Sequence, residues 1–214
     1  TLFRSVHQLM INLRGDNSNV GMSVYLDNVG FLGADVEGES FTLAEQDYPG
    51  MKFRVLWDVE DVVGELSTLS SIINDYFGAY QHFAFSTDVA HGVDGNALAI
   101  TQTATATSYG DVDFVLSKLS SVDTDMTGAT EMCFYIDASE INSEDVGIKI
   151  NFEESDPSGV RESWNIRTNS DAWLYPLEGG SVAVKTDGGR YVNVPKGFKG
   201  YVVYSLSNME KYWS

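Results

Sequence analysis

Apolar and polar residues alternate in short runs over most of this chain, and Gly, Asn, Asp and Ser separate the runs. Alternation with a period of two is typical of β-strands that bury one face. Dipeptides such as Asp94-Gly95 and Gly179-Gly180 supply tight turns between the runs. The pattern predicts an all-β protein built as an antiparallel β-sandwich or jelly roll. The clearest runs are LMINL (9–13), MSVYLDNVGF (22–31), HFAFS (82–86), ALAITQTATAT (97–107), VDFVLSKL (112–119), EMCFYIDAS (131–139), GIKINFEE (147–154), RESWNIRT (161–168), AWLYPL (172–177), SVAVKT (181–186) and GYVVYSL (200–206).

One stretch departs from this pattern. In residues 57–75 the apolar side chains recur at helical spacing, and Asp58 stands where an N-cap is expected. Gly64 and several β-branched residues oppose a helix there. Upstream, residues 32–50 are acidic and rich in turn-forming residues. We therefore expect residues 33–71 to form an acidic linker with at most one short helix.

The charge of the chain restricts its partners. Acidic residues number 31 against 13 basic ones, which gives a formal net charge of −18. A field of this sign repels phosphate groups, so nucleic acid and anionic membranes are poor partners. No apolar run approaches the roughly 20 residues that a membrane span needs, so we expect no membrane insertion. We expect a secreted or cell-surface protein with a solvated acidic surface; the alternative use of the aspartates is to hold calcium.

Candidate catalytic residues are few. Cys133 is the one cysteine of the chain and lies in a strand-like run, where a buried, inert thiol is the ordinary case. His7, His82 and His91 have neither paired metal-ligand spacing nor the context of a catalytic triad. Neighbouring carboxylates on a strand point to opposite faces, which does not suit a catalytic pair. We therefore expect a protein that is not an enzyme.

Several runs resemble a known family when they are taken together. VNVPKGFKGYVVYSL (192–206), GNALAI (95–100), DMTGATEMCFYIDAS (125–139), IKINFEESD (148–156) and ESWNI (162–166) resemble carbohydrate-binding-module-like β-sandwich (jelly-roll) domains. Such domains occur in surface and secreted proteins of Gram-positive anaerobes. The resemblance implies a non-catalytic module that binds a polysaccharide or another glycan, outside the cell.

The order of the strands is permuted relative to that family. The two strands that close the family's domain resemble SVHQLMINL and MSVYLDNVGF, which stand first here. We therefore divide the chain into a strand pair (1–32) that completes a β-sandwich, the linker (33–71) and the body of the sandwich (72–214). The pair could complete a neighbouring copy, in a tandem repeat or by strand complementation, or its own domain as a circular permutant. We favour neighbouring copies as partners. The alternative function is therefore a structural repeat or a subunit of a cell-surface fibre or adhesin, a filament assembled head-to-tail by strand complementation.

The hairpin 147–168 offers the best candidate surface for a glycan. Polar side chains on one face can exchange directional hydrogen bonds with sugar hydroxyls, and aromatic rings can stack on a pyranose. The alternative is that the charged residues form cross-strand pairs on a solvated face and that the tryptophan caps a sandwich edge. The candidate carbohydrate-binding residues are Lys149, Asn151 and Glu153 on the first strand, Asn165 and Arg167 on the second, and Trp173 and Tyr175 on the strand that follows.

The resemblance also implies a structural calcium near the family's last strand. Asp27 is the residue of this chain at that position. The family often has a second acidic residue where this chain has Phe77, so Asp75 is the candidate to replace it. We name Asp27 and Asp75 as candidate calcium ligands.

Overall fold

The structure is a computed structural model, and it describes residues 8–14, 17–60, 73–74, 83–104, 111–114, 125–142, 145–155, 161–166, 171–178, 182–187 and 191–213. These residues form β-strands, connecting turns and short 3-10 helices, and no α-helix occurs among them. No helix of this described part is long and apolar enough to cross a membrane. The strands are β1 (Gln8–Arg14), β2 (Ser23–Gly33), β3 (Glu39–Ser40), β4 (Lys52–Trp57), β5 (Ile73–Asn74), β6 (Phe83–Asp88), β7 (Ala97–Gln102), β8 (Asp111–Phe114), β9 (Glu131–Asp137), β10 (Asp145–Ser155), β11 (Arg161–Ile166), β12 (Asp171–Pro176), β13 (Val182–Asp187), β14 (Tyr191–Pro195), β15 (Lys199–Ser205) and β16 (Met209–Trp213).

The strands pair in one connected order. Along the main path the order is β3-β4-β2-β9-β15-β12-β13-β14-β10-β1-β8-β5, while β7 joins β2 to β6 and β11 joins β10 to β16. All these pairs are antiparallel. The prediction of an antiparallel all-β fold is therefore confirmed.

The path folds back on itself to enclose a core. Val182–Asp187 makes this possible, because its first four residues pair with β12 and its last two residues pair with β14. Inward-facing residues of β2, β7, β9, β12 and β15 share one apolar cluster with residues of β10 and β14. The arrangement is sandwich-like, with the strands β2, β7, β9, β12 and β15 on one side of this core. Examples from the two sides are Leu26, Phe134, Val202, Ile148 and Val192.

A second apolar cluster covers the other face of β9, β12 and β15, which we call the outer face. Alternate residues of β9 turn outward, so that Met132 and Phe134 belong to the core while Cys133 and Tyr135 belong to the second cluster. The chain between residues 41 and 53 lies over this cluster and contributes Phe41 and other apolar side chains to it. Because both faces are covered, every residue of β9 is buried, which accounts for its nearly continuous apolar sequence.

Residues 33–60 differ from the expected linker. Lys52–Trp57 pairs with β2, and Glu39–Ser40 pairs with Lys52–Trp57. Phe41 and Ala44 are buried against the outer face. The stretch was predicted to be a linker because its composition is acidic. Its few apolar residues pack against the aromatic outer face. The expected helix over 57–75 lies largely outside the described residues; within that stretch Trp57 ends β4 and Ile73–Asn74 forms β5.

The N-terminal strands lie in the sheet of their own chain. Ser23–Gly33 pairs with β9 on one edge and with β4 and β7 on the other. Gln8–Arg14 pairs with β10 and β8, so the two N-terminal strands do not pair with each other. A single chain therefore accommodates both strands, and their exchange between copies stays a prediction.

Candidate ligand-binding face

A β-bulge in β2 brings two polar residues to the outer face. The register between β2 and β9 shifts between Asp27 and Gly30, and Asn28 has a φ of 45°. Asn tolerates this left-handed conformation better than most residues do. The extra residue returns Val29 to the core while Asp27 and Asn28 both form hydrogen bonds on the outer side. Bulges of this kind are common next to functional sites.

Asp27 opens a row of residues that crosses four strands in register. It pairs with Tyr135, which pairs with Tyr201, which in turn pairs with Tyr175. Asn28 donates its side-chain N–H to the Tyr201 hydroxyl at 3.3 Å. Burial raises the pKa of Tyr201 to about 12. Burial also raises the pKa of Tyr135 and of Tyr175 above the ordinary value for a tyrosine. These phenols are therefore neutral hydrogen-bonding groups at physiological pH.

The carboxylate of Asp27 is buried and bound by backbone groups. Its Oδ1 accepts the N–H of Asn28 at 2.8 Å, and its Oδ2 accepts the N–H of Val93 at 2.9 Å. Burial raises the pKa of Asp27 to about 6, although these two bonds act in the opposite direction; the charges of Asp58 and Glu60 raise the pKa further. A carboxyl group with this pKa changes its charge in the mildly acidic range.

Calcium at Asp27 stays a prediction. The contacts of its oxygens within the described residues are N–H donors, whereas calcium requires six to eight oxygen ligands. No group of three or more His, Cys, Asp and Glu side chains in that part of the chain is placed to hold a metal ion. The second candidate ligand, Asp75, lies outside the described residues.

A second row on the outer face carries charged residues. Tyr25 of β2 pairs with Asp137 of β9, which pairs with Lys199 of β15. His91 stacks on the Tyr25 ring, with ring centroids 3.7 Å apart and planes 3° apart. Its Nδ1 lies 2.8 Å from Asp137 Oδ2, and Lys199 Nζ lies 3.4 Å from the same oxygen. Glu140, three residues after Asp137, accepts a hydrogen bond from the Tyr25 hydroxyl at 2.8 Å. Together, Tyr25, His91, Asp137, Glu140 and Lys199 form the cluster around His91.

Asp137 organises this cluster from a fully buried position. Burial alone would raise its pKa, but hydrogen bonds from Ser139 and His91 and the charge of Lys199 outweigh burial and hold the pKa below its usual range. Asp137 is therefore an anion at neutral pH. Its position fixes the orientation of the His91 ring.

Only one of the two aromatic candidates of β12 keeps exposed surface. Trp173 is partly buried against the second cluster and lies beside Val203 of β15, which pairs with Cys133 of β9. Tyr175 is 3% exposed and donates its hydroxyl to Asp47 at 3.1 Å. The outer face thus offers the indole of Trp173, but not the ring of Tyr175, to a ligand.

The other candidates lie elsewhere in the sheet. Lys149, Asn151 and Glu153 are on β10, and Asn165 of β11 pairs with Asn151, so the predicted hairpin is present. The side chains of Lys149, Asn151, Glu153 and Asn165, and the whole of Arg167, lie outside the described part of the structure. β12 is not the neighbour of β11, because β13, β14 and β10 lie between them in the strand order. The single face that we expected from the chain order is therefore not formed by adjacent strands.

Sequence reasoning missed the cluster around His91. Its members come from four separate parts of the chain. The register between β2, β9 and β15 aligns Tyr25, Asp137 and Lys199, and His91 and Glu140 lie in the connections beside them. His91 follows a strand in a turn-rich stretch and carried no spacing signal. Alternation along β9 placed Tyr135 and Asp137 on one face, but it gave no indication of what would lie opposite them.

Comparisons with known proteins add no family to this picture, because no family model, no curated protein and no solved structure matches the chain.

Proposed function

We propose that this chain is a non-catalytic carbohydrate-binding module, in a secreted or cell-surface protein, and that its outer face binds the glycan. The observation that carries the proposal is the partly exposed indole of Trp173, held on the face by a buried aromatic cluster. An aromatic ring that keeps exposed surface can cover the apolar face of a pyranose. A ring that is already fixed loses little conformational entropy on binding.

Polar groups on the same face complete the surface. Lys199 lies four residues along β15 from Val203, the partner of Trp173, which corresponds to about 13 Å. The exposed side chains of Lys199 and Glu140 can donate to and accept from sugar hydroxyls there. A ligand that contacts both ends of this surface is an oligosaccharide or a polysaccharide chain rather than a single sugar.

The negative charge of the protein makes some classes of glycan poorer ligands than others. With a net charge of −18, the chain repels polysaccharides that carry carboxylate or sulfate groups. The proposed ligand is therefore a neutral or cationic polysaccharide.

The test is retention on immobilised polysaccharides by affinity electrophoresis, with neutral, cationic and acidic polymers in parallel gels. We expect retention on at least one neutral or cationic polymer. Trp173→Ala should weaken that retention about tenfold or more, the loss expected when an aromatic anchor is truncated at a cost of roughly 1.4 kcal/mol.

The matched control is Phe85→Ala, which truncates a partly buried aromatic residue that packs against the main core. Phe85→Ala should keep the retention of the parent protein. Equal retention of Trp173→Ala and the parent, or equal losses in both variants, would contradict the proposed role of Trp173.

A further inference from the structure

In the cluster around His91, a ring nitrogen and a carboxylate oxygen lie 3.7 Å apart. His91 Nδ1 lies 2.8 Å from Asp137 Oδ2, and the Asp137 carboxylate can only accept. Nδ1 therefore carries the proton and donates it. In the neutral imidazole this assignment leaves Nε2 as a lone-pair atom.

In this tautomer Nε2 faces another acceptor. Glu140 Oε1 lies 3.7 Å from Nε2, too far for a hydrogen bond. The other oxygen of Glu140 accepts the Tyr25 hydroxyl. Lys199, the ammonium group of the cluster, contacts Asp137 Oδ2. A positively charged group between Nε2 and Oε1 would satisfy both atoms.

The distance fits a bridging transition metal. Zinc binds imidazole nitrogen and carboxylate oxygen at about 2.0–2.2 Å each, so two such ligands in tetrahedral geometry lie roughly 3.3 Å apart. The Glu140 side chain is 44% exposed and can close the remaining few tenths of an ångström. An imidazole ligand favours zinc, copper or nickel over calcium and magnesium, which prefer oxygen.

The surroundings of His91 match those of metal-binding histidines. Such histidines usually donate their second ring N–H to a carboxylate, which fixes the ring and makes it a better ligand. Asp137 supplies this carboxylate from a buried position. The stacked Tyr25 ring holds the imidazole from one side. Among the described residues, Asp88, Asp137 and Glu140 outweigh the positive charge of Lys199 near the site, and this balance favours a divalent cation.

We propose that His91 Nε2 and Glu140 Oε1 bind a divalent transition metal, with zinc as the expected ion and water in the remaining coordination positions. The metal joins the connection between β6 and β7, which carries His91, to the end of β9. This inference does not depend on the proposed glycan function.

The experiment is isothermal titration of the untagged chain with zinc chloride in a non-chelating buffer at pH 7.5. We expect one site per chain, and thermal unfolding should shift upward with zinc, because a ligand of the folded state adds stability. His91→Ala should abolish the site. Asp137→Asn should weaken zinc binding about tenfold to a hundredfold, as loss of a carboxylate behind a histidine ligand does.

Two further measurements keep the test decisive. Glu140→Gln removes a ligand at an exposed position and should weaken zinc binding about tenfold or more, even if His91→Ala were to unfold. His7→Ala and His82→Ala control for binding at the other histidines and should leave the titration unchanged. Absence of stoichiometric binding in the parent, or full binding by folded His91→Ala or Glu140→Gln, would overturn the proposal.

Discussion

Replacing Asp27 by Asn removes a buried carboxyl group from the outer face and should change how stability depends on pH. The folded-state pKa of Asp27 is about 6, against an ordinary value of 3.8. The folded chain thus binds this proton more tightly than the unfolded chain does. The resulting contribution to stability is fully present below pH 3.8 and is lost as the pH rises through 6.

The size of the effect follows from the shift. A difference of about two pKa units corresponds to roughly 3 kcal/mol over the complete titration. Between pH 7 and pH 4.5 the linkage relation gives about 2 kcal/mol of this total. The parent protein should therefore gain about 2 kcal/mol relative to Asp27→Asn when the pH falls over this interval.

The assay is urea unfolding of both proteins, followed by tryptophan fluorescence at pH 7, 6, 5 and 4.5. Asp137 and the other acidic residues are common to both proteins, so their titration cancels in the difference. Asp125→Asn is the control. The bonds from Thr127 lower the pKa of exposed Asp125, so its contribution is present above the unfolded value and is lost as the pH falls. The interval from pH 7 to pH 4.5 lies above this unfolded value of 3.8, so the control difference should stay nearly flat over it. Parallel pH profiles for the parent and Asp27→Asn would contradict the raised pKa of Asp27.

Four other expectations concern the sheet and its outer face. Gly30→Ala should destabilise the chain by about 3 kcal/mol in urea unfolding, because an added Cβ would lie 2.0 Å from the carbonyl oxygen of Arg54; an unchanged midpoint would contradict the bulge geometry. Cys133 is fully buried with a raised pKa, so Ellman's reagent should label it only after unfolding, and rapid labelling of the folded chain would contradict this position. Because β2 lies in its own sheet, light scattering should give a monomer at micromolar concentration, whereas concentration-dependent oligomers would support strand exchange. Chelation with EDTA tests calcium at Asp27, since loss of a bound ion lowers the melting temperature and an unchanged value would remove that prediction.

Most of the longer strands could be predicted because each of them carries its own signal, whereas β3 and β4 lie in the stretch that we expected to be a linker. The outward and inward alternation of β9 and the hairpin of β10 and β11 depend on residues close together in the sequence. The bulge of β2 depends instead on the pairing of Asp27 with Tyr135, more than a hundred residues later. The packing of Phe41 and Phe53 on the outer face could not be predicted. Only the aromatic residues of that face explain why an acidic stretch folds onto it.

The candidate site shows the same limit. Trp173 could be identified because an aromatic residue between apolar strand positions must turn outward. The neighbours of β12 could not be inferred, because the chain reaches β13 next and not β11. The proximity of His91 to Asp137 and Glu140 arises from a connection folding over the sheet. Nothing in the local sequence encodes this contact.

The most direct test of the proposed glycan-binding face is NMR of the indole N–H groups during titration with the polysaccharide that retains the protein. The chain has four tryptophans, and one Trp→Phe variant for each assigns its signal. We expect the Trp173 signal to shift progressively with polysaccharide while the signal of Trp57, which is 2% exposed, stays in place. A retained protein whose Trp173 signal does not move, or a panel of neutral and cationic polysaccharides that retains none of the protein, would contradict it.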